Sequence, residues 1–161
     1  MHLADCDRSR AVARGVAYAV SGAARKIMPN ISTKPTQLPE EIGMYVDALR
    51  QARPEISEVW LMGPRVNADE SRGAEWDLLL FANRRALETL RSDAAWRRAD
   101  VNLFVVVDGD HFERAWDAAA SGTLRDLDWQ LEEPQAATYI DKRSPVRSDP
   151  EGDRATAVRV R

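Results

Sequence analysis

The sequence predicts a single α/β (α+β) domain over residues 38–141, and three observations carry that expectation. Helical and strand periodicities alternate along this stretch, proline and glycine punctuate the junctions, and all five tryptophans fall between Trp60 and Trp129. The flanks differ in charge as well. Residues 31–141 hold 12 basic and 21 acidic side chains, a balance of -9, whereas residues 1–30 and 142–161 each stand at +3. A chain of 161 residues is long enough to bury one core without disulfide or metal staples.

Residues 11–27 set Val12, Val16, Ala19, Val20, Ala23 and Ile27 on one helical face, near Arg8, Arg10 and Arg14. This reads as an extra docked helix, with a membrane-surface tether as the other use of such a segment. Pro29, Pro35 and Pro39 make 28–39 a linker, so residues 1–37 are expected to be an N-terminal flank.

Pro39 suits a first helical position, and Ile42, Tyr45, Val46 and Leu49 follow on one face until Pro54 approaches. Val59-Trp60-Leu61-Met62 reads as a short strand ended by Gly63-Pro64. After the polar stretch Arg65 to Gly73 comes a second strand, Trp76 to Phe81, and then a helix outlined by Leu87, Leu90 and Ala94. Val101 to Val107 is the most apolar and β-branched run, hence a third strand.

Asp110 and Glu113 have capping-box spacing, which predicts a helix carrying Phe112, Ala115, Trp116 and Ala119. A further amphipathic segment is expected over 123–133, with Asp126 and Asp128 as helix-surface charge, and Ala136 to Ile140 closes the body. From Lys142 the chain is charged, contains Pro and Gly and shows no periodicity, which predicts a mobile tail over 142–161.

Composition narrows the function. An acidic body is a poor match for unspecific nucleic-acid binding and suits a site that gathers carboxylates for cations. No apolar run approaches the roughly 18 residues of a membrane span. The start, MHLADCDRSR, has acids and no clear apolar region, and the lone Cys6 cannot form an intrachain disulfide. A cytoplasmic location is therefore expected. No Ser-His-Asp set, P-loop, Rossmann fingerprint, HExxH or zinc spacing is present.

The chemistry concentrates in a few positions. Glu75 and Asp77 are one residue apart, so on a strand both side chains share a face and Trp76 points into the packed layer. Asp100 opens the next strand and would meet them if the strands are adjacent. Like charges so close raise one another's pKa, and divalent cations relieve the repulsion. Gly63 permits a sharp turn and close approach of a phosphate to the backbone. A helix starting at 64–65 would offer free N–H groups, with Arg65 as phosphate partner. Asn102 shares a face with Asp100, and His111 reads as a surface histidine.

Leu-Met-Gly63-Pro64-Arg65, followed after nine intervening residues by Glu75-Trp76-Asp77-Leu78 and then by Ala99-Asp100-Val101, resembles the signature of the minimal nucleotidyltransferases of the DNA polymerase β superfamily. The likeness covers roughly residues 40–120. It implies a nucleotidyltransferase fold, a small mixed β-sheet packed against helices. It also implies that Glu75, Asp77 and Asp100 bind Mg²⁺ or Mn²⁺ and carry catalysis, and that Gly63, Pro64 and Arg65 bind the nucleotide.

The reaction implied is transfer of a nucleoside monophosphate from an NTP, ATP foremost, to a hydroxyl on a protein, small molecule or RNA end. Two positions depart from the pattern. Pro64 brings neither N–H nor hydroxyl, and Glu75 stands where aspartate is commoner. They motivate the alternative expectation of a catalytically inactive binding or regulatory module, antitoxin-like, beside a helical protein partner.

Overall fold

Glu40–Ala52 forms the first helix, α1, and its Ile42, Val46 and Leu49 are fully buried, as their spacing predicts. Glu40 and Glu41 in the first turn and Arg50 in the last complement the helix dipole. The computed structural model describes residues 38–66, 75–116, 120–140 and 154–161. The segment expected at 11–27, His2, Cys6, Arg72, Ala119 and residues 142–153 lie outside the described residues.

Strand β1, Glu58–Met62, pairs antiparallel with β2, Trp76–Phe81, in the register Val59↔Leu80 and Met62↔Asp77. Helix α2, Arg84–Ser92, is capped by Asn83, whose side chain accepts the Ala86 N–H at 2.9 Å. It carries the chain across to β3, Val101–Val107, which lies parallel to β2. A parallel pair needs such a crossover, so the helix seen in the sequence dictates the strand direction.

Beyond β3 the sequence reading needs correction. The helix expected after Asp110 is a strand, β4 (His111–Arg114), antiparallel to β3. Asp108 and Gly109, with φ of 55° and 80°, reverse the chain before a helix can start. The capping box does not form, because Asp110 accepts the Arg125 N–H and Glu113 pairs with Arg84 and Arg91.

The segment expected to be amphipathic over 123–133 is a turn leading into a strand. Strand β5, Ser121–Thr123, pairs with β4, and β6, Gln130–Glu133, pairs with β7, Ala136–Ile140. Asp126 is a turn residue that accepts from the Thr123 N–H and hydroxyl, and Asp128 pairs with Arg154, so neither is helix-surface charge. The tail expectation is likewise corrected over its last stretch. Arg154–Val160 forms β8, whose alternating small and branched residues fit between β1 and β7.

The eight strands form one sheet in the order β5-β4-β3-β2-β1-β8-β7-β6. Its two edges are therefore consecutive in the chain. Eight strands laid flat would separate the edges by about 34 Å, whereas Thr123 to Gln130 spans at most about 25 Å when fully extended. The link is not extended, since Leu127 N–H bonds Thr123 C=O and Trp129 N–H bonds Leu124 C=O. The sheet must curl.

On the convex side, α1 and α2 cover Leu78, Leu80, Leu103 and Val105. On the concave side, Trp60, Leu79, Val106, Phe112 and Tyr139 pack together, with the linking segment laid over them through Leu127 and Trp129. Trp129 meets Trp60 edge-on at 5.4 Å between ring centroids. A mixed sheet packed against helices is thus present, larger than expected because three misread segments became strands.

Glu113 sits between two cations, Arg84 and Arg91, with the His111 ring 3.5 Å away. Arg84 first, then Arg91, holds its carboxyl below the ordinary value of 4.5. A depressed folded pKa gives stability that is present above the ordinary value and lost as pH falls through the folded one. In melts taken from neutral pH down to about pH 3, Glu113→Gln should therefore lose less stability than wild type below about pH 4. Parallel acid limbs would show that the cluster adds nothing to folding.

Candidate functional site

Gly63 ends β1 in the left-handed region, at φ 75°. The Met62↔Asp77 register brings Asp77 against it, so that a Cβ on residue 63 would stand 2.7 Å from Asp77 Oδ2. Two independent constraints, backbone and space, thus require glycine here. Gly63 and Asp77 are in close contact.

The phosphate-binding parts are arranged differently from the expectation. Among the described residues Pro64–Val66 forms a 3₁₀ turn, where the expectation was an α-helical first turn. The Gly63 N–H donates to the Tyr139 hydroxyl at 2.8 Å, a partner supplied by β7. Arg65 stacks over the Trp76 ring at 4.3 Å. Trp76 and Asp77 face opposite sides of β2, so that contact takes Arg65 to the helix-covered side, away from the acids.

Asp100 also leaves the group. Arg98 grips its carboxylate through two hydrogen bonds, at 2.9 and 2.8 Å, and holds its pKa below the ordinary range, with Arg65 adding to the effect. Its carbonyl accepts the Trp76 N–H, which starts the parallel ladder one residue later. Beside it, burial pushes the Tyr45 hydroxyl pKa up, and that hydroxyl donates to the Trp96 carbonyl.

Asn102 occupies the place expected for the third acid. The β2–β3 register sets it directly opposite Asp77. Its Nδ2 donates to Glu75 Oε2 at 2.6 Å and to Asp77 Oδ1 at 2.8 Å. Its Oδ1 accepts from Arg114 on β4. This orientation is the only one that satisfies both ends, because a flipped amide would set donor against donor at Arg114.

The donor set does not fit a divalent cation of the three-carboxylate kind. Two carboxylates converge, but the group between them offers N–H to both, and a guanidinium stands behind it. Among the described residues no three His, Cys, Asp or Glu side chains lie close enough to hold a metal ion. Of the residues singled out in the sequence, Gly63, Glu75 and Asp77 come together; Asp100 and Arg65 form a separate cluster with Arg98.

Next to the acids the concave face opens into a cavity of about 260 Å³. Asp77, Asn102 and Arg114 line one part of it, while Leu79, Phe104, Phe112 and Leu127 line another. Arg114 and Tyr139 had no signal in the sequence, since the first depends on reading β4 as a strand and the second on β7 curling back to Gly63. Asn102 had one: it shares alternation parity with Asp100.

Neither a protein-family description nor a curated protein matches the sequence. Among solved structures the chain is similar to the crystal structure of a candidate nucleotidyltransferase from Sulfolobus solfataricus, at 18% identity and a TM-score of 0.35. The match takes in 42% of this chain and 65% of that one, a little under two thirds of its length. So loose a likeness assigns no family. No helix among the described residues is long and apolar enough to cross a membrane.

Proposed function

We propose that the domain is a non-catalytic binding module built on a nucleotidyltransferase-like plan. The observation that carries this reading is Asn102 opposite Asp77, with its amide donating to both acids and accepting from Arg114. An amide and a guanidinium supply the countercharge that divalent ions would supply to converging carboxylates. Tyr139 at the Gly63 amide and the missing N–H of Pro64 act in the same direction, because both take donors from a triphosphate.

A second reading, Mg²⁺-dependent transfer of a nucleoside monophosphate from ATP, rests on the one part of the signature that assembles: Gly63 against Asp77, with Glu75 beside it. Thermal-shift and calorimetric titrations with ATP, GTP, CTP and UTP, with and without Mg²⁺ or Mn²⁺, separate the two. The module should show no metal-dependent stabilisation, and incubation with labelled NTPs should yield no transfer. Stabilisation that requires metal and disappears in Asp77→Asn would make the enzyme the correct account. For the module, the expected partner is another protein, a helical chain, with neither a membrane nor nucleic acid required.

A further inference from the structure

We infer that Asp108-Gly109, at the tip of the β3–β4 turn, is a site of spontaneous aspartate isomerisation, and that the change loosens the strand carrying Arg114. The inference goes beyond the function proposed above and does not depend on it. The sequence points to the position first. Asp108 is the one aspartate or asparagine in the chain that is followed by glycine. An aspartyl carboxyl can react with the amide of the next residue, and a side chain on that residue obstructs the approach. Glycine has no Cβ, so the obstruction is absent.

The fold leaves the reacting groups accessible. The Asp108 side chain is 76% exposed, and Arg84, the cation paired with it, stands 3.7 Å away. That separation is too long for a hydrogen bond, so this exposed pair does not clamp the carboxylate. A Cβ added at Gly109 would meet nothing within 4 Å, which places the turn's tip in open space. Among the described residues the turn's backbone hydrogen bonds do not use the Gly109 N–H. Asp110 is held more firmly, since its carbonyl accepts the Leu124 N–H and its carboxylate the Arg125 N–H.

The chemistry needs only water. The Gly109 nitrogen attacks Asp108 Cγ, an N–Cγ bond forms, and the carboxyl C–O bond breaks. The amide proton leaves with the hydroxyl as one water, and a five-membered cyclic imide remains. One water then adds to either of its carbonyls. Opening at Cγ restores aspartate. Opening at the main-chain carbonyl gives isoaspartate, whose backbone runs through Cβ and Cγ and is one carbon longer.

The longer backbone bears on β4. Residues 108 to 110 connect Val107 to His111 and fix the β3–β4 register. Asp108 and Gly109 turn left-handed there, at φ 55° and 80°, and an extra backbone carbon no longer matches that turn. Strand β4 carries Glu113, which holds Arg84 and Arg91, and Arg114, which donates to Asn102. A change at one exposed turn is thereby passed to Asn102.

The test ages the full chain at neutral pH and physiological temperature, then maps it by electron-transfer fragmentation, which separates aspartate from isoaspartate. Isoaspartate at residue 108 should exceed that at any other aspartate at least about tenfold. Labelling by an isoaspartyl methyltransferase should fall to background in Asp108→Gly, which adopts φ 55° without strain. It should rise faster in Asp108→Asn, because a neutral amide accepts nucleophilic attack more readily than a carboxylate. The Asn102 side-chain amide signals should shift in aged wild type and stay in place in aged Asp108→Gly.

Isoaspartate no more abundant at residue 108 than at Asp110 would overturn the site. A rate in the folded chain more than about tenfold below that in urea would do the same, because the fold would then protect the turn. Isoaspartate at residue 108 without any shift at Asn102 would overturn the link to Arg114. Should Asp108→Gly fail to fold, the wild-type map and the urea comparison decide alone.

Discussion

Gly63→Ala should destabilise the domain by about 3 kcal/mol, lowering the melting temperature by roughly 10–15 °C. Part of that comes from the backbone. At φ 75° a non-glycine residue costs about 1–2 kcal/mol. The remainder comes from contact, because the new methyl would start 2.7 Å from Asp77 Oδ2. Asp77 cannot simply withdraw, since it lies in the β2–β3 ladder and accepts from Asn102. The double variant Gly63→Ala/Asp77→Gly should recover the contact term and leave the backbone term. A double-mutant cycle in denaturant reads that coupling directly. If Gly63→Ala alone costs under about 0.5 kcal/mol, the range of an ordinary surface change, the close approach of Gly63 to Asp77 is wrong.

The second large effect is expected at Asn102. Asn102→Asp keeps the shape, removes the N–H group that joins Glu75 to Asp77, and places a third carboxylate between them. Arg114 keeps a partner, so the loss is confined to the acid side. Two hydrogen bonds to charged groups vanish and like charges face each other, a cost of about 2 kcal/mol after allowing for the exposure of Glu75. The sign with metal is the informative part. Mg²⁺ or Mn²⁺ should raise the melting temperature of Asn102→Asp and leave wild type unchanged, because only the variant has three converging carboxylates. A variant that melts like wild type and ignores both ions would show that the amide is not the acids' countercharge.

How much of this was legible in the sequence depended on the range of the forces involved. Helices α1 and α2 and strands β1 to β3 follow from local periodicity, and Leu78 with Leu80 against Leu79 shows the alternation plainly. The antiparallel register that sets Gly63 against Asp77 was not readable, because local periodicity carries neither strand direction nor pairing. Asp110 to Glu133 was not readable either. A capping-box spacing and helix-compatible residues stand there, but Asp108 and Gly109 turn left-handed and the sheet edge takes the chain as strands. Arg154 to Val160 carries too little apolar character to announce a strand, and its pairing with β1 and β7 is purely tertiary. At the site, parity could nominate both Asp100 and Asn102. The choice between them rested on one residue of parallel register and on Arg98, which no spacing rule reveals.

The position of β8 has a consequence for the order of events during folding. Val160 lies beside Val59 across about 100 residues of chain, and β8 is the strand through which the β6–β7 hairpin joins the ladder to β1. A nascent chain emerging from the ribosome can form the α1–β1–β2–α2–β3 unit early from near neighbours. The ladder cannot be completed until Arg154 to Val160 is available. Long-range closure of this kind is slow, and while it waits β1 presents an unpaired, apolar edge. Tyr139 reaches the Gly63 amide from β7, so the cavity is among the last features to form. Binding competence would thus report that synthesis and folding have run through residue 160.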